Sequence, residues 1–378
     1  MDFLPYSRQL IDDDDIEAVV QALKSNYLTT GPKTKEFEQE LAQYLNCNYV
    51  STLNSATSAL MASYFALGLK EGDEVITTPI SFVATANMLL PFGVKPIFVD
   101  IKFNGNINEK KIEEAITAKT KAIVSVDFAG LPVAIDEIKA IAKKHDLAFI
   151  SDSSHALGSE YKGQKIGSLA DMSIFSFHAI KPITTFEGGA VATNSKEFHE
   201  KIELFKSHGI EKKKLWSSDM VDFGYNFRLS DVASSLGLSQ LKKLDSFIEQ
   251  RDKIAKYYDE RFKKNPYFTT LPRDESLKSS HHLYPILLDR TLLCSKESIF
   301  SELIKNKIGV QVHYKPIHTN SYYKNLFGEQ RFKNAEDFYR AELSIPNSQS
   351  MSLDDAKYVA DKLFEILEQY RGRCRWNH

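Results

Sequence analysis

Through the first two thirds of the chain, short apolar runs alternate with segments whose apolar residues recur at helical spacing. The runs at 74–77 (EVIT), 96–100 (PIFVD), 122–126 (AIVSV), 147–151 (LAFIS) and 173–177 (SIFSF) read as strands. Between them the periodicity predicts helices over about 57–67, 82–90, 109–118 and 134–145. Two helices come earlier. One, carrying Ile16, Val19, Val20 and Leu23, follows the acidic run Asp12 to Asp15, which suits a helix N-terminus. The other spans 33–45, with Phe37, Leu41 and Leu45 four apart. Strands of this length alternating with helices imply βα units and a largely parallel sheet. The runs are apolar at successive positions, as expected when helices cover both faces.

The pattern then changes. A long helical stretch over about 230–264 is followed, beyond Pro272, by a strand at 282–289, a helix at 295–307 and an extended segment at 310–316. A closing helix at about 352–370 has Ser352 and Asp355 in capping-box positions. This reads as a large α/β domain over 1–245, with an N-terminal arm at 1–30, and a smaller α+β domain over 246–378.

Charge narrows the partners. With 48 Lys+Arg against 50 Asp+Glu, the formal net charge is −2, so nothing draws the chain globally toward nucleic acid or an anionic membrane. The start, MDFLPYSRQLIDDDD, lacks a basic region and an apolar core, and the most apolar window, at 82–94, is cut by Asn87 and Pro91. A soluble cytoplasmic protein is expected. The cysteines Cys47, Cys294 and Cys374 are far apart and odd in number, which fits a reducing compartment and argues against a disulfide framework or a structural zinc site. The end, RGRCRWNH, carries three arginines without an evident role and reads as a disordered tail.

Ligands of a parallel sheet bind beyond the carboxyl ends of its strands. Three features stand there. Asp152 ends the run LAFISD and precedes small residues and His155; it could cap a helix, or hold a cationic ring nitrogen protonated. Lys181 follows SIFSFHAI; it could be a surface lysine, or a partly buried amine made nucleophilic by a lowered pKa. Ser55, Ala56 and Thr57 open a helix after Asn54; they could be plain caps, or a phosphate cradle of free N–H groups. Together they form the set a pyridoxal phosphate enzyme needs. No GxGxxG follows a strand and no GxxxxGK[ST] is present, so dinucleotide and Walker-type readings lack support.

Five stretches then carry a resemblance over nearly the whole chain: TTGPKTKEFE (29–38), NSATSAL (54–60), SDSSHALG (151–158), SFHAIKPITTFEGGA (176–190) and GYNFRLSD (224–231). In these motifs and their order the chain resembles the DegT/StrS-type nucleotide-sugar aminotransferases. TTPISFVATANM and GVQVHYKPIH are most similar to members of the pseudaminic acid pathway. Those enzymes aminate C4 of a UDP-linked 4-keto-6-deoxy-N-acetylhexosamine with L-glutamate as donor. The resemblance implies the type I fold of pyridoxal phosphate-dependent aminotransferases: a large, mostly parallel-sheet α/β/α domain plus a smaller C-terminal α+β domain. It implies pyridoxal 5′-phosphate as cofactor, with Lys181 as the Schiff-base lysine and Asp152 as the partner of the ring nitrogen. It further places Phe82 against the cofactor ring, His155 beside the ring oxygen, and Ala56, Thr57 and Ser176 at the phosphate. Asn226 matches an asparagine that reaches the neighbouring subunit's phosphate, which implies a homodimer with active sites at the interface.

Some relatives carry histidine at the lysine position and dehydrate instead; lysine here points to transamination. Candidates for lining the sugar pocket are Tyr6, Gly31, His178, His313, Tyr314 and His318. No metal is expected, since His313 and His318 on their proline-broken segment match no zinc spacing. Two alternatives remain: a 4-aminotransferase for another nucleotide keto-sugar (bacillosamine, perosamine or antibiotic-sugar type), or a pyridoxal phosphate-binding regulator without turnover.

Overall fold

The computed structural model describes residues 2–274 and 276–373. The last five residues of the basic tail, 374–378, lie outside them. The large domain is built on strands β1 (Tyr49–Leu53), β2 (Glu74–Thr77), β3 (Lys95–Phe98), β4 (Thr120–Val126) and β5 (Ala148–Asp152). A short pair, β6 (Glu160–Tyr161) and β7 (Gln164–Lys165), precedes β8 (Met172–Ser176) and β9 (Gly189–Thr193). The main sheet has seven strands in the order β1-β9-β8-β5-β4-β2-β3. Only β9 runs against its neighbours, β8 and β1. The expected parallel sheet is therefore present, with one reversed strand.

Its helices in chain order are α1 (Asp13–Lys24), α2 (Pro32–Leu45), α3 (Ala56–Ala66), α4 (Ala84–Asn87), α5 (Ile135–Lys144), α6 (Lys196–Phe205) and α7 (Asp231–Leu241). Consecutive strand residues point to opposite faces, and both faces are apolar here. Ile123, Phe149 and Phe175 pack with α2, α5 and α7 through Phe37, Ile138 and Leu238. Their neighbours Val124, Ile150 and Ile174 pack with α3 and α6 through Leu60, Tyr64 and Phe205. Helices on both sides of the sheet follow directly.

The second domain begins along α8 (Leu244–Arg261). Phe247 and Ile248 of this helix lie in the large-domain core. Ile254, Ala255 and Tyr258 lie in the small-domain core. That core covers an antiparallel sheet of β12 (Phe268–Thr270), β14 (Tyr284–Leu288) and β15 (Glu342–Ile345); the hairpin β10 (Ile210–Lys214) and β11 (Ser217–Met220) comes earlier in the chain, and the two-residue β13 (Leu277–Lys278), paired with β6, falls between β12 and β14. The remaining helices are α9 (Lys296–Lys305), α10 (Ser321–Phe327), α11 (Lys333–Ala341) and α12 (Leu353–Tyr370). The capping box at Ser352 and Asp355 is formed. The N-terminal arm is tied to this domain: Leu4 N–H donates to Lys307 O at 2.9 Å, and Gly309 N–H to Leu4 O at 2.7 Å.

Three expected helices differ. The stretch 82–90 holds only the single turn α4 before a 3-10 turn at Leu90–Phe92 closes on Gly93 with φ 68°. Residues 109–118 form two 3-10 turns, because Ile112 is the only fully buried apolar anchor among charged neighbours. The stretch 230–264 is two helices, broken at Lys242–Lys243, where the chain leaves the sheet for the small domain. The cysteines are not uniformly unpaired either, for Cys47 is a free thiol while Cys294 is disulfide-bonded.

Candidate active site

The carboxyl ends of β5 and β8, the start of α3, and residues 311–314 of the small domain enclose one cavity of about 760 Å³. Each wall follows from the fold. Beyond β1 the chain turns at Asn54, whose N–H donates to Phe227 O at 2.8 Å, and enters α3. Ser55 caps that helix by accepting from Ser58 N–H at 3.1 Å, so the first N–H groups, at Ala56 and Thr57, stay free at the cavity wall. Strand β9 abuts this helix start. A side chain at Gly189 would place Cβ 2.4 Å from the Ala56 nitrogen.

Asp152 ends β5, paired through the sheet with Val126 and Ile174. Its Oδ1 accepts from Ser154 Oγ at 2.6 Å and its Oδ2 from Thr85 Oγ1 at 2.7 Å. Thr85 is braced in turn by Ser81 Oγ at 2.7 Å. Two hydroxyl donors on a buried carboxylate fix its direction. Ser176 ends β8, and its hydroxyl accepts from His178 N–H at 3.4 Å.

Lys181 lies five residues further on, in a turn closed by its N–H donating to His178 O at 2.9 Å. The side chain is buried. Burial lowers its pKa to about 7, with Arg251 acting in the same direction and the Asp152 carboxylate opposing it. A lysine near neutrality holds a usable fraction of free amine, as a nucleophile or proton carrier requires. Its Nζ lies 3.3 Å from Nε2 of His282.

His155 is buried under Phe128, and its Nδ1 accepts from Ala129 N–H at 3.3 Å. We assign the ring proton to Nε2, which lies 3.0 Å from the Tyr314 hydroxyl. Burial, with Lys181 nearby, holds the His155 pKa well below its ordinary value, so the ring is neutral. His313 meets Tyr314 edge-on at 4.8 Å and Tyr6 at 5.2 Å. Its Nδ1 is 2.8 Å from Ser344 Oγ, which donates to Glu342 at 2.6 Å. Burial lowers the His313 pKa to about 3 and raises that of Glu342 to about 8. Phe82 stands at the rim, 59% exposed, with its ring 6.2 Å from that of Tyr314. His178 sits at the mouth, 3.8 Å from Glu187.

The cavity therefore gathers Tyr6, Ala56, Thr57, Phe82, Asp152, His155, Ser176, His178, Lys181, His313 and Tyr314. Three sequence candidates lie elsewhere. Gly31 caps α2 and donates to Asp231 Oδ1 at 2.9 Å, with no room for a side chain beside that carboxylate. His318 is buried against Phe332 and hydrogen-bonds Glu336 at 3.3 Å. Asn226 is exposed, on a segment bridged to Ser207. Sequence reasoning missed His282, Thr85 and Arg251. The doubled histidine His281–His282 before a buried strand was the one available signal.

The donor set fits pyridoxal phosphate. A free helix N-terminus and the Ser176 hydroxyl suit a phosphate, an oriented carboxylate suits a protonated ring nitrogen, and a buried amine suits the aldehyde. Among the described residues no cluster suited to a metal ion is found, and no helix is long and apolar enough to cross a membrane.

The fold and this constellation define a pyridoxal phosphate-dependent aminotransferase of type I architecture. The family model for DegT/DnrJ/EryC1/StrS aminotransferases matches residues 9–364, and the chain belongs to that family. A UDP-4-amino-4,6-dideoxy-N-acetyl-beta-L-altrosamine transaminase of Campylobacter jejuni is 55% identical over 375 residues, covering 98% of this chain and 100% of the relative. Among solved structures, Helicobacter pylori PseC, an aminotransferase involved in pseudaminic acid biosynthesis, superposes with a TM-score of 0.95 at 47% identity, covering 97% of this chain and 100% of that one. The PLP form of the Streptococcus pneumoniae sugar aminotransferase Spr1654 superposes at 0.93 with 33% identity, covering 97% and 99% of the two chains.

Proposed function

We propose that the chain transfers the amino group of L-glutamate to C4 of a UDP-linked 4-keto-6-deoxy-N-acetylhexosamine, giving a UDP-4-amino sugar for pseudaminic acid biosynthesis. The observation that carries this reading is the whole-length likeness to transaminases of that name, joined to a buried lysine of near-neutral pKa in the cavity wall. When bound, pyridoxal phosphate supplies an electron-withdrawing ring that delocalises the negative charge left on a carbon that loses its proton.

The residues divide the work. Lys181 Nζ would hold the cofactor at its aldehyde carbon and, as a free amine, would carry the donor's α-proton, first as general base and then as general acid. Asp152 keeps the ring nitrogen protonated. The Ala56 and Thr57 N–H groups and the Ser176 hydroxyl hold the phosphate. His155 orients the ring oxygen and Phe82 covers the ring face. Tyr6, His178, His313 and Tyr314 line the space left for the sugar, whereas Gly31 and His318 lie outside it.

The active unit is a homodimer in the cytoplasm, with Asn226 serving the neighbouring subunit's phosphate site. An apolar surface supports this: Leu215 and Trp216 at the tip of the β10–β11 hairpin are 93% and 83% exposed, and Phe223, near Asn226, is 56% exposed. Large apolar side chains so presented mark an interaction surface. The deciding experiment offers UDP- and dTDP-linked 4-keto sugars with glutamate and reads the products by NMR. Amination of the UDP-linked N-acetylhexosamine at C4 is expected. Exclusive turnover of another keto-sugar would replace the substrate, and absence of any turnover with retained cofactor would favour a regulator.

A further inference from the structure

We propose that His282 is a positioning residue for Lys181, its Nε2 accepting a hydrogen bond from the lysine amine and so turning that amine toward the cavity. The inference rests on the assignment of Lys181 made above. The 3.3 Å between Lys181 Nζ and His282 Nε2 is a direct contact between two buried groups. In its protonated form the lysine offers only N–H donors, so toward the ammonium the facing ring nitrogen acts as the acceptor.

The other ring nitrogen, Nδ1, is buried and has no hydrogen-bond partner among the described residues. An imidazole left half-satisfied in an interior is costly, so its placement is imposed by its surroundings rather than by its own bonding. The fully buried Arg251 supplies the constraint. Its Nη1 donates to the carbonyl oxygens of His281 at 3.3 Å, His282 at 3.2 Å and Asn347 at 2.8 Å. The same guanidinium reaches both neighbours of the lysine. Its Nη2 contacts Ser7 Oγ at 3.2 Å, and Ser7 donates to Ile180 O at 3.0 Å. Its Nε donates to Gln349 Oε1 at 2.9 Å, and Gln349 Nε2 donates to Pro182 O at 3.5 Å. One cation thus sets the backbone on either side of Lys181 and the backbone of His282, fixing their separation.

The groups facing the lysine are Asp152 from β5, Arg251 from α8, and the rings of His155, His282 and His313. Burial, reinforced by Lys181 and then by His155, holds the His282 pKa well below the ordinary imidazole range. The ring therefore stays neutral, and its role is to orient rather than to exchange protons. Held by one N–H, the amine presents its remaining positions to the cavity.

The test reads the lysine without the reaction. Apoenzyme is labelled competitively with acetic anhydride across pH, and acetylation of Lys181 is followed by peptide mass spectrometry. The wild-type midpoint is expected at about 7. His282→Phe keeps a ring and removes the acceptor, so the midpoint should fall by about one pH unit, the size expected for losing a hydrogen bond to a charged group. His282→Gln restores an acceptor at the place of Nε2 and should bring the midpoint back toward wild type. A midpoint unmoved or raised in a folded His282→Phe protein overturns the proposal. Should that variant not fold, 15N-histidine spectra of wild-type apoenzyme decide: an unprotonated Nε2 on His282 supports the proposal, and a protonated one overturns it. Borohydride trapping of holoenzyme separates the two levels. Attachment at another lysine removes both readings, whereas attachment at Lys181 with an unmoved midpoint removes only this one.

Discussion

The hydroxyl of Thr85 donates to Oδ2 of Asp152 at 2.7 Å, joining the short helix α4 to the end of strand β5. The carboxylate is thereby aimed rather than merely buried. Thr85→Val keeps the shape and leaves Oδ2 one donor short, so we expect kcat/KM to fall about 10-fold, with a stability loss of about 1–3 kcal/mol. Asp152→Asn should retain covalently attached cofactor yet lose about 10²-fold or more in kcat, since one preorganised electrostatic contact is worth that much. Wild-type turnover in Asp152→Asn would remove the role given to this residue.

Lys181→Ala removes anchor and proton carrier together. Turnover should fall by at least about 10³-fold, and borohydride treatment should add no cofactor mass to the peptide. Multiple turnovers by this variant would end the assignment.

The lowered pKa of Lys181 has two signed consequences. Below pH 7 the amine is protonated and cannot attack the aldehyde, so the rate of cofactor capture by apoenzyme should rise with pH and level off above about 7. For stability, the unfolded chain binds the extra proton between about 7 and the ordinary lysine value near 10.4. This site's contribution therefore increases with pH across that window, and reaches its full penalty below it. Denaturant melts of apo wild type and Lys181→Met should draw apart as pH falls from 10 to 7, and keep a constant separation below pH 7.

Gly189→Ala drives a methyl group into the backbone at Ser55 and Ala56, with nearest atoms at 2.4 to 2.6 Å. Neither backbone can yield easily, so we expect a loss of about 1–3 kcal/mol. Because the displaced element is the start of α3, affinity for pyridoxal phosphate should drop even where the variant folds. Equilibrium dialysis and thermal melts read the two effects separately. Unchanged cofactor affinity would argue against the phosphate cradle at Ala56 and Thr57.

Shared active sites can be tested by mixing two defective proteins. Lys181→Ala and Asn226→Ala subunits, unfolded together and refolded, give heterodimers in which one site holds both native residues. Activity should then exceed that of either variant alone. Mixtures no better than the sum would place Asn226 outside the partner's site. Trp216→Glu should lower the sedimentation coefficient if the hairpin lies in the interface.

Much of this was legible in the residues. The strands were readable because each is short and apolar at successive positions: Val124 and Ile150 face one layer while Ile123 and Phe149 face the other. Helices 82–90 and 109–118 were over-read because periodicity does not reveal how many apolar positions find a core. Ile112 finds one, while its charged neighbours do not. Asp152, Lys181 and the start of α3 were legible because strand ends and helix starts are positions the chain itself marks.

Other features existed only in three dimensions. Arg251 is one of many arginines until α8 carries it between two cores, where its guanidinium meets the carbonyls around Lys181 and His282. His282 lies 101 residues from Lys181 along the chain. His318, a pocket candidate by its neighbourhood in sequence, turns instead onto Glu336 and Phe332. The sequence by itself determined the layered sheet, the chemistry available at its ligand edge, and the family. Tertiary structure decided which distant groups surround the amine, because burial, pKa and hydrogen-bond distance arise only when separate elements are packed together.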